Sequence, residues 1–100
     1  MKLRILDEAT AEFADAIARY EAIESDLGVR LKQEVRAAIA WIAENAELPR
    51  ARPKGYRRVN LKVFPFYVAY MIWNDTLWVL AIAHNARRPE YWITRRPGTD

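Results

Sequence analysis

The pattern of apolar and polar positions is most regular between residues 64 and 83, where it predicts a β-hairpin. Two strands, Phe64–Trp73 and Thr76–Ala83, flank the dipeptide Asn74-Asp75. Both residues of that dipeptide tolerate the positive φ angles that a two-residue hairpin turn requires. The stretch is therefore interpreted as two antiparallel strands joined by a tight turn.

A two-residue turn also fixes which residues face each other. The predicted opposing pairs are Trp73 with Thr76, Met71 with Trp78, and Tyr67 with Ile82. One face of the hairpin then carries Phe66, Val68, Tyr70, Ile72, Leu77, Val79 and Ala81. The other face carries Tyr67, Ala69, Met71, Trp73, Trp78, Leu80, Ile82 and, just past the strand, His84. Because both faces are apolar, the hairpin should lie in the middle of a sheet that is covered on at least one side.

The chain before the hairpin predicts a short strand followed by two helices. Polar and apolar residues alternate in Lys2–Leu6, which is typical of a strand at a sheet edge. Apolar residues then recur at spacings of three and four from Ala9 to Tyr20 and from Leu27 to Ile42. These two amphipathic helices should end near Ser25 and by Asn45, and so short a link predicts an antiparallel helical hairpin.

The remaining segments are another strand and a C-terminal arm. Tyr56–Leu61 is typical of a strand, whereas residues 85–100 are basic and aromatic with no clear period. Pro89 forbids a continuous helix there, although Glu90–Arg95 can make one turn. The order β-α-α-β-β-β predicts an α+β fold in which a helical hairpin covers one face of a mostly antiparallel sheet. One hundred residues predict a single domain, 1–100.

Composition changes this picture mainly through charge. Residues 1–49 hold six Lys/Arg and ten Asp/Glu, a net charge of −4, whereas residues 50–100 hold ten and three, a net charge of +7. The basic half suggests an acidic partner, either nucleic acid or protein, or else an uneven but merely solvated surface. The absence of cysteine and of any long apolar run favours a reducing compartment, and we expect a cytoplasmic protein that does not enter membranes.

The residue types also exclude several chemistries. A single histidine, no cysteine and no convincing acidic cluster in the basic half predict neither a metal site nor a cofactor. The only serine, Ser25, is far in sequence from His84, so a serine triad has little support. The glycines are isolated and form no phosphate-binding loop.

What remains is a basic and aromatic set with two interpretations. Its members are Arg57, Arg58, Lys62, His84, Arg87, Arg88, Tyr91, Trp92 and Arg95. Such residues can neutralise phosphate, move protons and stack on bases, and so cut RNA through its 2′-hydroxyl without a metal. They can equally form a protein-binding surface, because Trp, Tyr and Arg dominate interface hot spots. His84 can instead cap the strand end, and Trp41 is expected to pack.

These residues resemble a known superfamily over almost the whole chain. Its carriers are Leu27-Gly28 with Leu31, Arg57-Arg58, Phe64-Pro65-Phe66 with Tyr70, and His84, Arg88, Pro89, Tyr91-Trp92 and Arg95. The run FPFxVxY joined to HxxxRPxYW at this spacing is similar to the RelE/ParE superfamily of bacterial toxins, often called plasmid-stabilisation toxins. The resemblance implies the same α+β fold with a basic C-terminal arm.

The superfamily has two branches with different targets. Ribonuclease members cleave mRNA on the ribosome with basic residues on the sheet and an Arg and a Tyr in the arm. A gapless sequence alignment that starts from the last strand puts Ala86 and Trp92 at those two arm positions. In the same comparison, Lys62 matches a phosphate-binding arginine. These departures count against mRNA cleavage. The Phe64-Pro65-Phe66 run and the RPxYW run at residues 88–92 resemble instead the ParE branch, whose members poison DNA gyrase without known catalysis of their own.

The resemblance thus implies a toxin of a type II toxin–antitoxin module, with DNA gyrase as target and a cognate antitoxin that neutralises it by wrapping the toxin. The expected target-binding residues are Arg57, Arg58, Arg87, Arg88, Tyr91, Trp92 and Arg95. The expected antitoxin-binding residues are Tyr67, Met71, Trp73 and Trp78. No direct sequence-specific DNA binding is expected except through the antitoxin.

Two alternatives to gyrase inhibition stay open. One is a metal-independent, ribosome-dependent endoribonuclease, whose catalytic residues would be His84, Arg57, Arg87 and Tyr91. The other is a non-toxic binding module that keeps only the fold.

Overall fold

The computed structural model describes residues 1–97, so the last three residues of the predicted arm, 98–100, lie outside the described part. The elements are β1 (Lys2–Ile5), α1 (Asp7–Ile23), α2 (Leu27–Glu44), β2 (Arg57–Asn60), β3 (Phe66–Trp73) and β4 (Thr76–His84). Their order is the predicted β-α-α-β-β-β, and the α+β fold is confirmed.

The two helices form the predicted hairpin because the chain turns sharply between them. Asp26 adopts the left-handed conformation, with φ 79°, immediately before α2 begins. Gly28 lies buried against α1, and a Cβ atom there would sit 2.7 Å from the carbonyl oxygen of Ile17 and 2.4 Å from the Glu21 side chain. A glycine is therefore required where the start of α2 lies against α1. The Glu21 carboxylate also accepts a hydrogen bond from the Val29 backbone N–H at 3.2 Å.

The sheet has four strands in the order β1-β4-β3-β2. β1 pairs with β4 in parallel, whereas β4 with β3 and β3 with β2 are antiparallel pairs. The first strand thus lies at a sheet edge, as predicted, and the sheet is mostly antiparallel. β2 forms the opposite edge.

The hairpin of β3 and β4 follows the predicted register only near its turn. Trp73 pairs with Thr76 and Met71 with Trp78, which confirms those two predictions. Further from the turn, the pairing shifts by one residue between Ala69 and Tyr70 of β3. The extra residue on β4 is Leu80, which makes the irregularity a β-bulge.

The bulge makes the third predicted pair wrong, because Tyr67 faces Ala83 and not Ile82. A one-residue shift also exchanges the faces on which the end of β4 lies. Ile82 pairs with Val68, and His84 pairs with Phe66. Ile82 and His84 therefore lie on the helix-covered face, opposite to the sequence-based expectation.

The core lies between the helices and this face of the sheet. Its fully buried side chains include Val68, Tyr70, Leu77 and Val79 from the sheet and Ala9, Leu31, Val35 and Ile42 from the helices. The Tyr70 hydroxyl donates a 2.7 Å hydrogen bond to the Ala46 carbonyl just beyond α2, and burial raises the pKa of this phenol. The second face is covered by the arm, which forms successive turns without a helix or strand in residues 85–97. Among residues 1–97, no helix is both long and apolar enough to cross a membrane.

Candidate functional site

Trp92 attaches the arm to the second face of the sheet. Only 1% of its surface is exposed, and its indole N–H donates a 2.9 Å hydrogen bond to the Tyr67 hydroxyl. The indole also meets the Tyr56 ring edge-to-face, with 4.7 Å between ring centroids. Trp92 was expected to contact a target, but the structure buries it, since the uncovered apolar face of the sheet needs a cover.

A second attachment joins the arm to the edge of β4. β1 stops beside Val79, so β4 has no strand neighbour on that side further along. Instead, a carboxylate oxygen of Glu12 in α1 accepts the Ile82 backbone N–H at 3.1 Å. The guanidinium of Arg95 donates to the Leu80 carbonyl at 3.1 Å. Two side chains thus satisfy backbone groups that a neighbouring strand would otherwise pair with.

Glu12 and Arg95 also bind each other in a bidentate ion pair. The distances are 3.0 Å from Nη1 to Oε1 and 3.0 Å from Nη2 to Oε2, and the side chains are only 16% and 18% exposed. The Tyr91 hydroxyl donates a hydrogen bond to the same Oε2. Burial, followed by that hydrogen bond, holds the pKa of Tyr91 well above its usual range. We call Glu12, Tyr91 and Arg95 the arm clamp.

The expected target-binding arginines differ in their exposure and in their side-chain contacts. Arg87 and Arg88 are exposed, and the Arg87 guanidinium lies 3.9 Å from the centroid of the Tyr91 ring. Arg58 lies 3.7 Å from the centroid of the Tyr67 ring and donates to the Asn60 side chain at 2.7 Å.

Arg57 lies on the other face of the sheet from Arg58. The two residues are neighbours on one strand, and their side chains therefore point to opposite faces. Arg57 donates to the Pro49 carbonyl at 2.8 Å and is half-buried.

His84 lies at the end of β4 in a cleft of about 290 Å³ between α1 and the arm. Its Nδ1 accepts the Ala86 backbone N–H at 2.9 Å, and its ring meets Phe66 edge-to-face with 4.9 Å between centroids. These contacts agree with the alternative in which His84 caps the strand end. Arg87 and Tyr91 line the same cleft.

Three of the four residues expected for a ribonuclease thus come together, while Arg57 does not. Arg57 pairs with Tyr70, and His84 pairs with Phe66. The backbone positions of Arg57 and His84 are therefore two strands apart, about 10 Å, and roughly 13 Å apart along the strand direction.

The expected antitoxin-binding residues are only partly accessible. Tyr67 is 4% exposed beneath the arm, while Met71 and Trp78 are half-buried. Trp73 is 53% exposed beside the hairpin turn. The indole nitrogen of Trp78 is buried, and it has no hydrogen-bond partner among the described residues. The apolar patch on the second face is therefore smaller than the sequence suggested.

A second apolar surface was missed from the sequence. It is a groove of about 580 Å³ between α2 and the edge strand β2, and we call it the edge groove. It is lined by Ala37, Ala38, Trp41, Val59 and Leu61, with Glu34, Arg58, Asn60 and Lys62 around them. Trp41 was expected to pack but is 41% exposed. The signal was present, because Trp41 lies off the apolar stripe of its helix.

Glu34 shapes the end of the edge groove by holding the connection between β2 and β3. Its carboxylate accepts three consecutive backbone N–H groups, at 3.0 Å from Lys62, 3.1 Å from Val63 and 3.2 Å from Phe64. The connection is therefore fixed with the Lys62 side chain exposed beside the groove.

Residues 1–97 contain no group of three or more His, Asp or Glu residues that could hold a metal ion.

The structure thus defines a class of small α+β protein with an exposed basic arm and an apolar groove at the sheet edge. A family model described as the ParE toxin of the type II toxin–antitoxin system parDE matches residues 3–89. The chain therefore belongs to the ParE toxin family, which confirms the ParE branch of the superfamily. The match ends at Pro89, so the arm clamp residues Tyr91 and Arg95 lie beyond it.

The fold has a counterpart among solved structures. A chain of the chromosomal ParDE TA system from P. aeruginosa superposes with a TM-score of 0.76 at 18% sequence identity. The superposition covers 84% of this chain and 95% of that chain. At that identity the likeness shows the shared fold. No curated protein sequence matches this chain significantly.

Proposed function

We propose that this ParE-family toxin inhibits DNA gyrase in the cytoplasm by occupying a protein surface, and that a cognate antitoxin neutralises it. The observation that carries the inhibitor mechanism is that Tyr91 is already held by contacts within the protein. Its hydroxyl donates to Glu12, and its pKa is raised. Meanwhile, Arg87 and Arg88 of the same arm are exposed. The arm is therefore better suited to binding than to proton transfer.

Cleavage of RNA requires two proton-transfer groups close together, and this arrangement offers them poorly. One group must take the proton of the 2′-hydroxyl and another must protonate the leaving 5′-oxygen. His84 is the only histidine, and its Nδ1 already accepts the Ala86 N–H. Tyr91 is held by Glu12, and Arg57 lies at a distance on the sheet. A second proton-transfer group beside His84 is therefore hard to supply.

A supercoiling assay with purified gyrase tests the target. The double variant Arg87→Ala, Arg88→Ala should inhibit at least tenfold less, because it removes two exposed arm charges. The matched control is Arg30→Ala, Arg36→Ala, which removes two exposed charges from α2. His84→Gln should inhibit nearly as well as the wild type. Circular dichroism checks that each variant is folded.

The same proteins added to translating ribosomes test the runner-up. The wild type should leave mRNA uncut. Cuts at defined codon positions that vanish in His84→Gln would establish the endoribonuclease instead, since loss of a general acid or base slows a reaction by about 10²–10⁴-fold. A wild type that neither arrests growth nor acts in either assay would favour the non-toxic binding module.

For the antitoxin we propose the edge groove as the principal docking site. Its lining is apolar, Arg58 and Lys62 adjoin it, and β2 beside it is an edge strand that can receive an extended segment. An antitoxin segment with apolar anchors and acidic residues complements these features. The exposed Trp73, with Met71 and Trp78, forms the alternative docking patch.

Co-purification with the product of the neighbouring reading frame tests this docking site. Trp41→Ala should weaken antitoxin binding by at least tenfold, whereas Trp73→Ala should leave it nearly unchanged. Both residues are exposed tryptophans, at 41% and 53%, so each controls for the other. The reverse ranking would place the antitoxin on the hairpin patch. Recovery of the toxin without any bound neighbour would count against neutralisation by direct wrapping.

A further inference from the structure

The arm clamp connects a residue of the first helix to the part of the chain that carries the exposed arginines. Glu12 and Arg95 are 83 positions apart in sequence, and their ion pair is bidentate and mostly buried. Such charge-assisted bonds are among the stronger side-chain interactions and fix orientation as well as distance. The clamp therefore holds the arm in one place on the edge of β4.

The clamp also reaches Arg87 through Tyr91. Glu12 binds the Tyr91 hydroxyl, and the Arg87 guanidinium lies 3.9 Å from the centroid of the same ring. A guanidinium stacked on an aromatic face is held more firmly than one in free solvent. The orientation of Arg87 thus depends on a carboxylate that it does not itself touch.

We propose that Glu12 is a positioning residue, which holds the arm so that Arg87 and Arg88 meet the target in one fixed arrangement. This inference rests on the proposed function, in which those arginines contact the target. Glu12 itself is half-buried and fully engaged by three donor residues, Ile82, Tyr91 and Arg95. Its effect on toxicity therefore acts through the arm.

Glu12→Gln is a sharp test because it preserves shape and changes one oxygen into an NH₂ group. The remaining oxygen can still accept the Ile82 N–H, so the sheet edge keeps its partner. The new NH₂ group, however, faces Nη2 of Arg95, a donor that cannot bind to it, so the bidentate ion pair is lost. The Tyr91 hydroxyl can stay bonded only by turning from donor to acceptor. The variant should fold and release the arm.

Trypsin reports on the arm directly, because it cuts after arginine unless proline follows. Arg87 and Arg95 are followed by arginine, whereas Arg88 and Arg96 are followed by proline. Cutting after Arg95 requires its side chain to leave Glu12. We expect cleavage there to be at least about tenfold faster in Glu12→Gln, with local opening as the cause. Mass spectrometry identifies the cleavage position.

Growth arrest in cells is the second measurement, because it needs no assumption about the target. Glu12→Gln should require at least about tenfold more protein for the same arrest. Asp15→Asn is the charge-matched control, since Asp15 lies on the same helix, is exposed and pairs with Arg19. Val68→Ala is the stability-matched control, because it weakens the core and leaves the clamp intact. Both controls should keep toxicity and a protected arm.

The outcomes separate the positioning role of Glu12 from the proposed inhibition of gyrase. An arm as resistant to trypsin in Glu12→Gln as in the wild type overturns the inference. So does a released arm with unchanged growth arrest, or an equal loss of toxicity in Asp15→Asn or Val68→Ala. Arg95→Lys keeps the charge but cannot bind in bidentate fashion. Its rate of trypsin cleavage after position 95 should lie between those of the wild type and Glu12→Gln. If the wild type arrests growth without inhibiting gyrase, the proposed target is wrong and the role of Glu12 still stands.

Discussion

Replacement of Trp92 by alanine should reveal how much of the stability of the protein depends on its arm. Trp92 is a large side chain with 1% exposure, in edge-to-face contact with Tyr56 and bonded through its N–H to Tyr67. Its truncation removes the cover from the second face of the sheet and leaves a cavity. Substitutions of this kind cost about 3–5 kcal/mol.

That magnitude is large beside the total stability of small domains, about 5–15 kcal/mol. Trp73→Ala is the natural reference, because Trp73 is 53% exposed and should cost less than about 1 kcal/mol. Tyr67→Phe isolates the polar part of the contact. It leaves the buried indole N–H of Trp92 without its acceptor, which should cost about 1–3 kcal/mol.

Guanidinium denaturation followed by far-UV circular dichroism measures all three variants, since this signal does not depend on tryptophan fluorescence. The midpoint should fall furthest for Trp92→Ala, less for Tyr67→Phe and least for Trp73→Ala. If Trp92→Ala were no more destabilising than Trp73→Ala, the arm would not be part of the folded core. The description of Trp92 as a packing residue would then be refuted.

Three further predictions concern other parts of the structure. Val68→Ala, in the helix-covered core, should cost about 1–3 kcal/mol by the same denaturation assay, more than Trp73→Ala. Glu34→Gln should cost about 1 kcal/mol, because one of two carboxylate oxygens that accept three backbone N–H groups becomes a donor. Because the pKa of Tyr91 is raised on folding, its stabilising contribution is complete below the unfolded pKa of about 10 and is lost as the pH rises towards the folded pKa. The free energy of unfolding should therefore fall above about pH 10, and fall less in Tyr91→Phe.

The sequence predicted those features that depend on neighbours along the chain. Helical spacing from Leu27 to Ile42 indicated α2, and the Asn74-Asp75 turn fixed the pairing of Trp73 with Thr76. The bulge at Leu80 could not be predicted in this way. Both faces of the hairpin are apolar, so a one-residue shift moves apolar side chains from one apolar face to the other. The pattern of apolar and polar residues therefore gives no sign of the bulge.

The candidate site was harder to predict, because its geometry depends on contacts across the whole chain. Arg95 was expected to bind a target, and its partner Glu12 lies 83 positions away in a helix for which no contact with the arm was predicted. Trp92 was placed on a binding surface by its residue type and by the resemblance, with packing of the arm onto the sheet as the alternative. Its burial follows from the uncovered face of the sheet, which only the three-dimensional arrangement of the strands and helices reveals.

The parallel pairing of β1 with β4 has a consequence for the order in which the protein is made. The helical hairpin involves neighbouring segments and can form early, whereas β1 has no partner until residues 76–79 have been synthesised. The edge of β4 beyond β1 stays open for longer, until Arg95 reaches Glu12. A chain that lacks Arg95 would therefore leave this edge of the sheet exposed and prone to aggregate, and its arm would not be held in position. Toxicity and protection from aggregation should thus depend on the same few contacts.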